Sequence, residues 1–203
     1  HFDDVTKTSK INSTAISYGL GVIMSDINLD GWVDIYAGND FHENDYLYIN
    51  KGNGTFVEKL TEMMAHTSRS SMGNDIGDIN NDGWPDIYIA NDYTEPDYLY
   101  HNNGDGTFTD QLAQQLGHIS QFAMGCEIAD FNNDGWNDLI TLDMLPEDNP
   151  RQKEMRGPAN YDKYWLQVRY GYYHQVMRNT LQLNNQNGTF SEIGQLANIS
   201  NTD

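Results

Sequence analysis

The chain has 203 residues, 38% hydrophobic and 12% aromatic, enough to bury a core and room for one domain rather than several. Against 11 Lys and Arg stand 30 Asp and Glu, and the formal net charge of −19 argues against a nucleic acid or anionic lipid as partner. No apolar run is long enough to span a bilayer, no signal-like segment follows His1, and a single cysteine, Cys126, excludes an internal disulfide framework and reads as a small buried residue.

In chain order the first segment is HFDDV. Phe2 lies 17 residues before Gly19, as Phe56 and Phe108 lie 17 before Gly73 and Gly125, which predicts the last strand of a preceding repeat. Next comes the first of three acidic nonamers, DINLDGWVD (26–34), DINNDGWPD (78–86) and DFNNDGWND (130–138), spaced 52 residues apart. Gly21, Gly73 and Gly125 each stand five residues ahead of a nonamer, and the runs IYAGND, IYIAND and LITLD follow. Their β-branched and aromatic content predicts strands. Farther on, YLYINKGNGTF (46–56), YLYHNNGDGTF (98–108) and TLQLNNQNGTF (180–190) alternate and then meet Asn-Gly or Asp-Gly, which predicts two-residue hairpins.

Each unit therefore predicts four antiparallel strands, at 21–26, 33–38, 45–50 and 55–59 in the first. A repeated four-stranded sheet is the pattern of a propeller. The expected fold is all-β: residues 1–203 as a fragment of one β-propeller domain, with about three blades at 15–60, 67–112 and 119–194 and part of a preceding blade. Closure takes four to eight blades, so the parent protein is expected to continue in both directions.

Within D-x-N-x-D-G-x-x-D, oxygens at positions 1, 3, 5 and 9 and the backbone carbonyl of position 7 can converge on a hard cation, with Gly at position 6 allowing the turn. The expected calcium ligands are Asp26, Asn28, Asp30, Trp32 and Asp34; Asp78, Asn80, Asp82, Trp84 and Asp86; and Asp130, Asn132, Asp134, Trp136 and Asp138. Three aspartates around one point repel without a cation. An EF-hand needs Glu at position 12, where Ala37, Ile89 and Thr141 stand, and dockerin-type loops lead into a helix rather than a strand. The recurring tryptophans are expected to wedge between adjacent blades. The pairs Asn39-Asp40 and Asn91-Asp92 read as turn residues, with Asp143 in their place in the third unit.

The third unit is longer, since 82 residues separate Asn102 from Asn184 where 52 separate Asn50 from Asn102. Residues 144–178 form an insertion holding six of the 11 basic residues against four acidic ones. Asn149 followed by Pro150 predicts an N-cap and a first helical residue, with Gly157 as a stop and a second helix from about Asn160. Tyr161, Tyr164, Trp165 and Val168 share one face of that helix, expected to pack on its own domain. Arg156, Tyr161, Tyr164, Trp165, Arg169 and Tyr172 are the candidate partner-binding residues, because Arg, Tyr and Trp are enriched at interface hot spots.

These repeats resemble the FG-GAP or VCBS-type repeats of integrin α-subunit propellers. The DGW and GTF signatures are similar to bacterial repeat proteins of the ASPIC/UnbV class, and the stretch from Thr141 resembles an insertion in members from Bacteroidota. The resemblance implies a seven- or eight-bladed ring, a structural role for calcium, and an exported protein, secreted or held at the cell surface or outer membrane. The function expected is a non-catalytic module binding or scaffolding a protein or glycan partner, in a cell-surface or outer-membrane complex. The alternative is a polysaccharide lyase or hydrolase, with His174, Tyr172 and Tyr173 as first candidates. A panel of acidic and neutral glycans separates the two.

Overall fold

The computed structural model describes residues 1–41, 43–93, 95–155 and 161–201. After α1 (Thr6–Ser9) come three four-stranded antiparallel sheets in succession. The first is β1 (Gly19–Ser25), β2 (Asp34–Asn39), β3 (Tyr46–Asn50) and β4 (Phe56–Glu58), followed by α2 (Leu60–Met63). The second is β5 (Ser71–Gly77), β6 (Asp86–Asn91), β7 (Tyr98–Asn102) and β8 (Phe108–Asp110), followed by α3 (Leu112–Gln115) and the short β9 (Ile119–Ser120). The third takes β10 (Ala123–Ala129) and β11 (Asp138–Asp143), then leaves for α4 (Asn149–Met155), α5 (Tyr161–Arg169) and β12 (Gln175–Val176), and finishes with β13 (Thr180–Asn184) and β14 (Phe190–Glu192). Each sheet has its strands in sequence order, and β5 lies against both β1 and β10, so the sheets are successive blades of a partial β-propeller.

The blades meet through their flat faces. Ile27, Tyr36, Leu47 and Ile49 of the first pack with Ile87, Ile89, Tyr100 and Phe108 of the second. Ile79, Tyr88 and Leu99 of the second pack with Ile119, Ala123 and Leu139 of the third repeat. Each such side chain taken fully out of water contributes about 1.5–3 kcal/mol, which makes these two joints the main source of cohesion. The approach is close at glycine: a Cβ on Gly73 would meet Gly125 Cα at 2.7 Å, and one on Gly21 would meet the Asn74 amide at 2.6 Å.

Several local expectations are corrected. HFDDV is not a strand: it pairs with no sheet among the described residues, Phe2 is fully exposed, and the segment runs into α1. The hairpins are longer than two residues. In the first, Lys51 N–H bonds to the Thr55 carbonyl, positive φ falls on Gly52 and Gly54, and the Asn53 side chain between them accepts from Thr55 N–H. Asn53 thus serves as an Asx-turn acceptor rather than a left-handed residue. The cap of α4 is Asp148, whose Oδ1 accepts from Arg151 N–H at 2.9 Å, so the helix starts one residue ahead of Pro150. Gly157, Asn160 and Arg156 lie outside the described residues.

The short helices α2 and α3 were not anticipated. Their signal is the acid ending each fourth strand: Glu58 accepts from Leu60 N–H at 2.7 Å and Asp110 from Leu112 N–H at 3.0 Å, turning the chain so that Leu60 and Leu112 bury.

Candidate functional site

The three acidic loops share one conformation. Position 4 (Leu29, Asn81, Asn133) and position 6 (Gly31, Gly83, Gly135) all have positive φ, which coils the backbone so that its N–H groups turn toward the first carboxylate. Asp26 Oδ1 accepts from Asp30 N–H at 3.0 Å and Oδ2 from Gly31 N–H at 2.8 Å, while Asp30 Oδ1 accepts from Trp32 N–H at 2.9 Å. Asn28 accepts from Asp30 N–H and gives its amide to Asp30 Oδ2. The same bonds recur around Asp78, Asn80 and Asp82, and around Asp130, Asn132 and Asp134.

Position 9 does something different. Asp34, Asp86 and Asp138 are fully buried. Each spans from its own loop to the end of the third strand, as Asp34 does by accepting from Ile27 N–H at 3.0 Å and Asn50 N–H at 2.8 Å. Burial pushes the Asp86 carboxyl up to about 7, with repulsion from Asp82 and Asp78 adding to it and the N–H groups of Asn102 and Ile79 opposing. Asp34 is raised for the same leading reason, and Asp30 and Asp26 contribute.

Hydrogen bonds within each loop thus gather the side chains at positions 1, 3 and 5, whereas the carboxylate at position 9 is turned inward to the N–H groups of the loop and the third strand. Among the described residues, no set of three or more Asp, Glu, His or Cys groups is drawn close enough to constitute a metal centre by itself. In donor chemistry the fit to a hard cation is good. Every oxygen occupied by one backbone N–H keeps a second lone pair, and among the described residues no Lys, Arg or His forms an ion pair with any of the nine loop aspartates.

Two of the tryptophans lie on their own blade's hairpin. The Trp32 indole lies over Gly52, where a Cβ would come within 2.6 Å, and the Trp84 indole lies over Gly104 in the same way. Each of these two rings therefore covers the hairpin of its own blade, and Trp32 is half exposed.

The asparagine ending each third strand makes the bridge between blades, a role missed in the sequence. Asn102 donates to the Ile27 carbonyl of the preceding blade at 2.9 Å and to its own Pro85 carbonyl at 3.2 Å. Asn184 does the same with Ile79 and Asn137. Its recurrence ahead of all three hairpins was the available signal.

The insertion is pinned at its root. Parallel pairing of β12 with β9 returns it to the third blade, and Arg178 bonds to Glu192 at 2.8 Å and contacts His118. On α5, Tyr164 is half-buried and its hydroxyl meets His174 Nδ1 at 2.6 Å, and Val168 is half-buried as well. The rest of the expected packing face is open: Tyr161 is 75% exposed and Trp165 44%. Arg169 and Tyr172 are exposed too, whereas the Tyr173 hydroxyl is tied to the Leu116 carbonyl. The helical spacing is as expected, but only half of that face packs on the domain.

Residues 26–89 and 78–141 each match the model of the FG-GAP-like repeat. Curated relatives include integrin alpha-3 of Mus musculus, 25% identical over 130 residues, and integrin alpha-6 of Homo sapiens, 32% identical over 121 residues. These alignments cover 57% and 53% of this chain and 12% and 10% of those proteins. Cartilage acidic protein 1 of Homo sapiens is 38% identical over 69 residues, 34% of this chain and 10% of that protein. The chain corresponds to about a tenth of the length of these relatives.

Proposed function

Because the chain belongs to the FG-GAP-like repeat family, we propose that it is a non-catalytic propeller module of an exported protein, braced by calcium in its three acidic loops and holding a protein partner through its insertion. One observation carries the calcium reading. Nine aspartates lie in three equal loops, three of them fully buried, and no cationic side chain among the described residues pairs with any of them. A divalent ion held by Asp26, Asn28, Asp30 and Asp34, and by the equivalent residues of the other loops, supplies the missing positive charge. Calcium suits the oxygen-only set better than magnesium, which keeps its waters.

The partner surface rests on α5 and its exit, where Tyr161, Trp165, Leu166, Tyr170 and Tyr172 are exposed together beside Arg169. Exposed aromatic groups next to a guanidinium are what a protein interface uses as anchors. No helix among the described residues is long and apolar enough to cross a membrane.

The test is thermal unfolding of the chain across a calcium titration, with magnesium in parallel. Calcium at about 100 times its Kd stabilises by about 2.7 kcal/mol per site, so a clear rise in midpoint is expected, reduced in Asp78→Ala and smaller with magnesium. An unchanged midpoint at millimolar calcium defeats the reading. Among the described residues, the Tyr164–His174 contact is what favours the second reading, a lyase or hydrolase acting on polysaccharide. Glycan cleavage abolished by His174→Ala would put that activity in its place.

A further inference from the structure

A cavity of about 210 Å³ opens in the cleft between the second and third blades, and the repeat makes its origin readable. Its wall is Ile79, Trp136 and Phe190 together with the carboxamides of Asn80, Gln115, Asn184, Gln186 and Asn187. Not one lining residue is ionisable, in a chain with 30 acidic residues.

Three positions distinguish this cleft from the equivalent place between the first and second blades. Gly104 there carries the Trp84 indole flat against it; its counterpart is Gln186, still at positive φ (60°) but with a side chain. A Cβ at Gly104 would stand 2.7 Å from the Trp84 ring, so Trp136 cannot lie on Gln186 as its sisters lie on glycine. Met63, packed against the core of the first joint, is replaced by Gln115. Asp105 is replaced by Asn187. In step with these changes, Phe108 is buried at the first joint and Phe190 is half exposed at the second. Together the replacements take away a glycine seat for the indole, an apolar side chain and a carboxylate, and put an amide at each position.

We propose that this cleft binds a neutral saccharide residue, one ring in size. A hydroxyl both donates and accepts, and so does a carboxamide, which makes an amide-lined wall a match for a polyhydroxylated ligand. The indole and the Phe190 ring offer apolar faces to the C–H side of a sugar ring. Asn80 and Asn184 are already engaged in holding the loop and hairpin. Gln186 keeps its carbonyl after donating to Asp134 Oδ2 at 3.1 Å, Asn187 keeps its NH₂ after accepting from Thr189, and Gln115 keeps its NH₂ beside its bond to His101, so these are the groups left to read the ligand. Asp134 and Asp82 lie beside the lining amides, which disfavours an acidic sugar. The volume lies below the ~300–1,000 Å³ of drug-sized pockets, so one ring enters rather than a chain.

The cleft shares no residue with the insertion and goes beyond the function proposed above. Its test is saturation-transfer NMR and tryptophan fluorescence on the full chain with calcium, using neutral hexoses and N-acetylhexosamines against hexuronates. Saturable binding with a millimolar Kd is expected for a neutral sugar, and at least about tenfold weaker binding for uronates. Gln186→Gly restores the residue that the first two blades carry, so it keeps the fold, and it is expected to weaken binding by about tenfold or more, as is Gln115→Met. The proposal is overturned if no neutral sugar binds saturably at tens of millimolar, if both variants bind as the parent does, or if uronates bind equally. The calcium response is recorded on the same samples, so a failed cleft and a failed loop reading give different results.

Discussion

Leu29 is held at φ 55°, in the left-handed region that costs an ordinary L-residue roughly 1–2 kcal/mol, while the matching residues of the other loops are Asn81 and Asn133. Asparagine enters that region more easily. Leu29→Asn is therefore expected to stabilise the chain by about 0.5–1 kcal/mol, read as a higher urea midpoint; an unchanged or lower midpoint would mean that the half-exposed leucine packs on something worth keeping. The buried Tyr–Asp pairs act in the other direction. Tyr36 donates to Asp45 at 2.6 Å and Tyr88 to Asp97 at 2.6 Å, and burial nonetheless lifts both carboxyls to about 7. Since the folded chain then binds more protons than the unfolded one between about pH 4 and pH 7, stability is greatest at the acid end of that window and falls as pH rises through it. In chelator, the urea midpoint is expected to drop from pH 5 to pH 8, and to drop less in Asp97→Asn. The third blade has made the neutral choice already, with Ile140 in the tyrosine's place and Asn179 in the aspartate's, its Oδ1 accepting from Asp143 N–H at 2.6 Å. The buried pairs were not legible in the sequence. Asp45 and Asp97 sit nine positions from their tyrosines, a separation that neither helical nor strand periodicity pairs, so the contact exists only once the strands have turned back on each other.

At the scale of elements, each first strand carries the same irregularity, a register shift just ahead of Gly21, Gly73 and Gly125. The glycine that follows lets neighbouring inner strands approach to backbone distance. Gly73→Ala is expected to cost about 1–3 kcal/mol, because its Cβ meets Gly125 Cα and neither backbone can yield without parting the blades. Gly125→Ala, with open space around the added methyl, is expected to be close to neutral. Equal losses in urea unfolding would contradict this one-sided packing. The strands themselves were legible to within two residues in the first repeat, because alternation and β-branched content act locally. The hairpins were not, because Gly52 and Gly54 flank Asn53 and the choice of which residue turns left depends on the Trp32 ring lying on Gly52.

On the scale of the molecule, the three sheets relate to one another by a single rule. Asn74 and Ile76 of the second blade face the first, and Cys126 and Ile128 of the third face the second, where burial pushes the Cys126 thiol well above its ordinary range. Val22 and Met24, the same positions in the first blade, are 69% and 67% exposed. This joint was implicit in the 52-residue repeat, whereas the destination of the insertion was hidden, since β12 pairs with the remote β9 rather than with anything near it in sequence. That pairing has a consequence of its own. The excursion departs at Asp143 and re-enters at Asn179, two residues bonded to each other, so its ends are stitched together whatever runs between them. Doubling the length of such a closed tether adds only about 0.6 kcal/mol of entropy. Evolution can therefore rewrite, stretch or trim this handle while the sheet beneath it stays as it was, which makes it the natural place to splice in a foreign peptide.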